Sequence, residues 1–213
     1  DLPLTPGSLL VIDDIEALKA EAQVALFRAF NAARFTGLAL HYIQDLTQPY
    51  HADLAPGDST LRLISANVLA MAGFPGRRDD LIVLLSNRHL VLEKFQNESM
   101  VASAKAGKDT ALETALRRLA LDASYPAWND NYARDTVSLE SHAISGRTVQ
   151  TLLATVPPPL VSDPKFDFGV NEAGIDLLAE IDRFGPGKRA ELEKLVAELL
   201  SRLGAHSRNT VRG

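Results

Sequence analysis

At 213 residues, 46% of them hydrophobic, the chain is long enough to bury a core of its own. Its net charge of −5 excludes a protein that holds nucleic acid or anionic membrane by bulk charge. The absence of cysteine excludes disulfides, thiolate catalysis and cysteine-ligated zinc, so any metal must be held by imidazole and carboxylate.

The start, Asp1-Leu-Pro-Leu4, lacks the basic and apolar regions of a secretory signal, which fits a mature start, a trimmed chain or a cytosolic protein. From Ile12 to about Asp45 strong helix formers run without proline until Pro49, predicting one long helix with a possible break at Thr36-Gly37. A polar loop with Pro49, Pro56 and Gly57 follows. Leu61, Ile64, Val68 and Met71 then recur at helical spacing up to the turn Gly73-Phe-Pro-Gly76. Helical periodicity returns from Asp79 to about Ala104, and Thr110 with Glu113 has the form of a capping box ahead of another helix. Tyr125 to Arg134 reads as turns, and Val137 to Leu153 as helix, stopped by Pro157-Pro-Pro159.

Residues 157–170 read as an extended linker between a helical core, 1–156, and a C-terminal helical segment, 171–213, that packs on it. Asn171 is placed to cap a short helix ending near Gly185, and Pro186 to open the last one. That helix carries the apolar stripe Leu192, Leu195, Val196, Leu199, Leu200 and Leu203, with Gly204 expected as its left-handed stop. No alternating β-branched segment is long enough for a sheet, and no apolar run approaches the roughly 20 residues that span a bilayer. The fold class expected is all-α, a multi-helix bundle.

His41 and Asp45 are four residues apart, as are His89 and Glu93, so each pair sits about 5.4 Å apart on one helix face and can chelate one ion. Leu38 precedes the first pair and Ile82 and Leu85 the second, so both pairs continue apolar stripes and are expected to face inward. Inward imidazole and carboxylate need a partner; a metal or a buried His–carboxylate hydrogen bond each supplies one. His51 follows the helix stop Gln48-Pro49, which turns the chain back toward Asp45.

The stretch Leu40-His-Tyr-Ile-Gln-Asp-Leu-Thr-Gln-Pro-Tyr-His-Ala52 resembles the signature of the zinc-dependent phospholipase C and single-strand nuclease superfamily, His-x3-Asp followed by Gln-Pro-x-His. Asn87-Arg-His-Leu-Val-Leu-Glu93 is similar to that family's next element, Asn-x-His-x3-Glu or Asp. The resemblance implies a helical bundle of the phospholipase C type with up to three zinc ions. His51, His89 and Glu93 would hold one zinc, His41 a second, and Asp45 would bridge that ion to the third. It also implies phosphate-ester hydrolysis by metal-activated water at a phospholipid surface, and a secreted or periplasmic location. Family members carry an N-terminal Trp, two further His and an Asp well upstream, and none of the 40 residues before His41 is His or Trp. Either upstream segments are absent from this sequence or this branch keeps one zinc; retention of His41 and Asp45 favours the first. Asp13 and Asp14 are the adjacent upstream carboxylates, better placed to complement a helix start than to ligate. No general base is assigned.

Ala52 after His51 and Glu93 at the end of the second motif look more like the phospholipase branch than the nuclease branch, while Gln44 departs from both. No basic stripe interleaved with aromatics marks a strand-binding groove, so stable nucleic-acid binding is not expected. Tyr42, Tyr50, Phe95 and Trp128 form either a box for a quaternary ammonium head group or plain core, with core favoured. His142 lacks an acid four residues on and reads as a solvated helix position, and His206 as surface. A 3'-nucleotidase or single-strand nuclease, and a non-catalytic metal-clipped domain that binds lipid surfaces, are the alternatives. A di-iron bundle would need Glu-x-x-His pairs with an inward-facing partner set, which the chain does not offer.

Overall fold

The computed structural model describes residues 20–53 and 55–212. Among them every regular element is helical, and the fold is all-α as the periodicity predicts. The first helix, α1 (Ala20–Leu46), runs through Thr36 and Gly37 unbroken; Asp13 and Asp14 lie outside the described residues. Gln48 leaves the helical region and Pro49 starts the single turn α2 (Pro49–Ala52), since proline's fixed φ suits a first helical position. Ser59 caps α3 (Thr60–Met71) by accepting from the Arg62 amide. The 31-residue α4 (Gly76–Ala106) ends where Gly107 turns left-handed.

The capping box forms at the start of α5 (Ala111–Leu116). Thr110 Oγ1 accepts from the Leu112 amide, and Glu113 accepts from the Thr110 amide at 2.8 Å. Desolvation acts to raise the Glu113 carboxyl, but hydrogen bonds from Thr110 and Ser103 outweigh it and lower its pKa to about 2. After a π-helical turn at Ala133–Ser138 comes α6 (Leu139–Thr155).

Residues 157–170 are not an extended linker. Proline at the first position opens a turn, α7 (Pro158–Val161), and Asp167 caps another, α8 (Phe168–Asn171). Leu160, Val161 and Phe168 are buried in the main core, so apolar burial overrides the extended bias of the prolines. Asn87 of α4 pins the segment: its amide donates to the Phe166 carbonyl at 2.6 Å and its oxygen accepts from the Phe168 amide at 2.9 Å. Arg88, also buried, donates to the Val161 carbonyl. Asp176, rather than Asn171, caps the next full helix, α9 (Leu177–Phe184), by accepting from the Ala179 amide.

The last helix, α10 (Lys188–Arg212), packs along α1, α5, α6 and α9 and contributes Leu192, Leu195, Val196, Leu199 and Leu200 to one core with Val91, Leu92 and Phe95 of α4. The C-terminal segment is thus interior to the bundle. Gly204 does not stop α10. It lies where the helix crosses α5 so closely that a Cβ there would stand 2.0 Å from the Leu116 carbonyl oxygen.

Carried on past Gly204, the apolar face of α10 places His206 in the interior, 1% exposed, correcting the surface expectation. Its Nε2–H donates to Glu140 at 2.8 Å and its Nδ1 accepts from the Tyr132 hydroxyl at 2.7 Å, a tautomer set by the acceptor-only carboxylate. Tyr125 also donates to Glu140, at 3.0 Å. Burial works to raise the Glu140 carboxyl, but the His206 bond, the Arg202 charge and the Tyr125 bond together hold it below the ordinary carboxylate value. Burial raises both tyrosine hydroxyls.

Candidate metal centre

The site is built from α2 and α4. Pro49 is buried, and Gln48 Nε2 donates to Gln96 Oε1 of α4, tying the start of the short turn to the long helix. At its other end Asp53 accepts from Ser145 Oγ of α6 at 2.7 Å and from the Ala55 amide, closing the turn. His142 Nδ1 stands 3.3 Å from the same carboxylate, so this exposed histidine finds its acidic partner across the fold rather than four residues on.

Held between these anchors, His51 on α2 faces His89 and Glu93 on α4. His89 Nε2 lies 3.0 Å and His51 Nε2 3.9 Å from one oxygen, Glu93 Oε1. The two imidazoles meet edge to face with centroids 4.7 Å apart, and the three ligand atoms fall within 4.8 Å of one another. Two ligands of one tetrahedral zinc, each about 2.0–2.2 Å from the ion, stand about 3.4 Å apart. The observed separations bracket that value, so small side-chain rotations bring the atoms to coordination distance. The group can hold a metal ion. Its donors, two imidazole nitrogens and a carboxylate oxygen, suit zinc, and among the described residues no fourth His, Asp or Glu joins the cluster.

Tyr50 orients this set, a role the sequence reading did not assign to it. Its ring stacks on His89 with an interplanar angle of 9° and centroids 5.6 Å apart. Its hydroxyl is buried without a hydrogen-bond partner among the described residues, and desolvation raises it against the opposing charge of Arg88.

His41 and Asp45 stand outside this cluster. His41 Nε2 is 3.4 Å from Asp45 Oδ2, a pair on α1 with the imidazole 74% exposed. Neither pair faces a dry interior: Leu38 and Ile82, expected to lead inward, are themselves exposed, and the core-facing positions of α4 are Arg88, Leu92, Phe95 and Ser99. The chelating pairs sit at the rim. The four aromatics form no box. Phe95 belongs to the main core, Tyr50 packs at its edge, Trp128 joins Tyr132 in a second small cluster, and Tyr42 is exposed.

A separate groove of about 850 Å³ runs between α5, α6 and α10, lined by Tyr125, Glu140, Glu198 and Arg202. It shares no residue with the metal cluster, and within it Arg202 pairs with both Glu198 and Glu140. No helix of the described residues is long and apolar enough to cross a membrane. Comparison with protein-family profiles, with characterised proteins and with solved structures finds no match to the chain.

Proposed function

We propose that the protein is a zinc-dependent phosphoesterase, a phospholipase C that releases a phosphorylated head group, secreted or periplasmic as the motif resemblance implies. The observation that carries the reading is the convergence of His51, His89 and Glu93 from two elements onto one point. A structural zinc is held by four protein ligands, whereas three leave a position for water or a phosphate oxygen. The open rim adds support: His51 and Glu93 are exposed and His89 half-buried, so a bulky ester reaches the cluster without a channel.

Zinc bound there supplies Lewis-acid polarisation of a phosphoryl oxygen and lowers the pKa of water toward about 7. The chain's own residues do the positioning. Stacking on Tyr50 fixes the ring of His89, and Pro49 with Asp53 sets the turn that presents His51. Glu93 Oε1 is hydrogen-bonded to His89 Nε2 at 3.0 Å and lies 3.9 Å from His51 Nε2, which defines the side on which the two imidazoles meet. His41 and Asp45, one helical turn apart on α1, are the proposed half of a second site that takes its remaining ligands from other segments.

The test is hydrolysis by purified, zinc-replete protein. Choline or ethanolamine phospholipid should yield phosphorylated head group, and activity should vanish with chelator and with His89→Ala. Cleavage of single-stranded DNA with phospholipid left intact would transfer the assignment to the nuclease reading. Neither activity, with zinc bound, would leave a metal-clipped domain.

A further inference from the structure

Helix α3 is apolar on two sides. Eight of its twelve residues are Leu, Ile, Val, Met or Ala. Leu63, Ala66, Leu69 and Ala70 are buried or half-buried, and the helix packs on α4. Leu61, Ile64, Val68 and Met71 are exposed, Met71 at 90%. Phe74 in the following turn and Ile82 near the start of α4 are exposed as well. A helix apolar all round is ordinarily covered all round, and a contiguous exposed stripe of this kind marks a contact surface.

Spacing and charge identify the partner. The four exposed residues recur at intervals of three, four and three, the a and d positions of a heptad, which form a narrow seam suited to a second helix rather than the wider apolar face of a helix lying in a lipid interface. That spacing reads the same in both directions. Turned end for end, a second α3 sets its Met71 against Leu61 and its Val68 against Ile64, and a twofold axis makes the same contacts in reverse. The positions flanking the seam, Thr60, Ser65, Asn67 and Ala72, are uncharged, so two identical edges meet without repulsion. Ser65 and Asn67 already donate to the Arg62 and Leu63 carbonyls of their own helix, so those donors lose nothing when water leaves. The margin is neutral in sum: Asp58 engages Arg62, Asp79 engages Arg78, and Arg77 and Asp80, which make no ion pair among the described residues, add one charge of each sign. We infer that α3 pairs antiparallel with the α3 of a second copy, so that the protein is a twofold dimer. The pairing uses no residue of the metal cluster and goes beyond the hydrolase reading.

The experiment is analytical ultracentrifugation of the full chain over a concentration series, with chelator present so that shared metal cannot bridge copies. An equilibrium between monomer and dimer is expected. Val68→Glu places a carboxylate from each copy in the seam and should weaken the dimer roughly a hundredfold; Val68→Ala, which only trims the contact, should weaken it roughly tenfold, each copy losing the same surface. Thermal melts of the dilute chain should not change, since Val68 is 58% exposed in the single copy. The chain has no cysteine, so Leu61→Cys and Met71→Cys each introduce a single thiol. Two copies of one variant hold their thiols about 15 Å apart along the paired helices, whereas a mixture of the two variants brings unlike thiols side by side. A short bis-maleimide should therefore cross-link the mixture and neither variant alone. Wild-type protein that stays monomeric at every concentration, a dimer indifferent to Val68→Glu, or cross-linking as strong within one variant as in the mixture would overturn the inference. A monomer that floats with phosphatidylcholine vesicles until Val68→Glu releases it would overturn it in favour of a lipid partner.

Discussion

Replacing Gly204 with alanine sets two effects of opposite sign against each other. Inside a helix alanine is favoured over glycine by about 1 kcal/mol, so on propensity alone the variant gains stability. Against this, the new Cβ would stand 2.0 Å from the Leu116 carbonyl oxygen, where carbon and oxygen approach no closer than roughly 3.3 Å. The crossing must open by more than an ångström. Leu116 cannot simply yield, because Arg208 Nη1 donates to the same carbonyl at 3.0 Å, while its guanidinium also binds the Arg118 carbonyl and the Asp122 carboxylate. Overpacking costs about 1–3 kcal/mol and loss of a charged hydrogen bond about 1.5–3 kcal/mol, against the 1 kcal/mol gained. Gly204→Ala is therefore expected to lose about 2–4 kcal/mol in urea unfolding followed by circular dichroism, or roughly 5–15 °C in Tm. A variant as stable as wild type, or more so, would refute the crossing.

Three further outcomes follow from the same contacts. His206→Ala removes a buried ring and leaves Glu140 and Tyr132 short of partners; it should lose about 3 kcal/mol in the same unfolding assay, whereas Ser207→Ala, beside it on the helix, should change little. The Glu140 carboxyl is held below its unfolded value, so its contribution is present above the ordinary carboxylate range and is lost as pH falls through the lower folded value; Glu113 follows the same sign down to about 2. Acid titration of stability should accordingly be shallower in Glu140→Gln than in wild type below about pH 5. Asn87→Ala leaves two backbone groups of residues 166–168 unpaired, and faster proteolysis within 162–167 at an otherwise native circular dichroism spectrum is the expected signature.

The helices of this fold were legible because their signals are local: the capping box at Thr110, the proline at the start of α2 and the apolar stripe of α10 all act within a few residues. What was hidden depends on distant partners. Gly204 reads as a stop, yet the glycine is needed for contact with a carbonyl 88 positions earlier. A signal for His206 was present, since Leu199, Leu203, His206 and Thr210 continue one face once the helix is allowed to run on. Residues 157–170 read as linker because prolines dominate them, while Phe166 and Phe168, which dock the segment on α4, were passed over. The members of the metal cluster were legible as residue types at a spacing, but their orientation was not. Periodicity pointed His89 and Glu93 inward, whereas the helix is turned so that the core receives Arg88, Leu92 and Phe95 and the ligands fall on the rim. Tyr50 and Asp53 escaped notice as positioning residues, since their partners lie on other helices.

The central claim is that His51, His89 and Glu93 share an ion. Equilibrium dialysis against zinc, with bound metal counted by atomic emission, tests it on wild type, His51→Ala, His89→Ala and Glu93→Gln together. At least one zinc per wild-type chain, with every variant binding at least tenfold more weakly, is the predicted result. Wild-type protein that retains no zinc, or variants that retain as much as wild type, would contradict it.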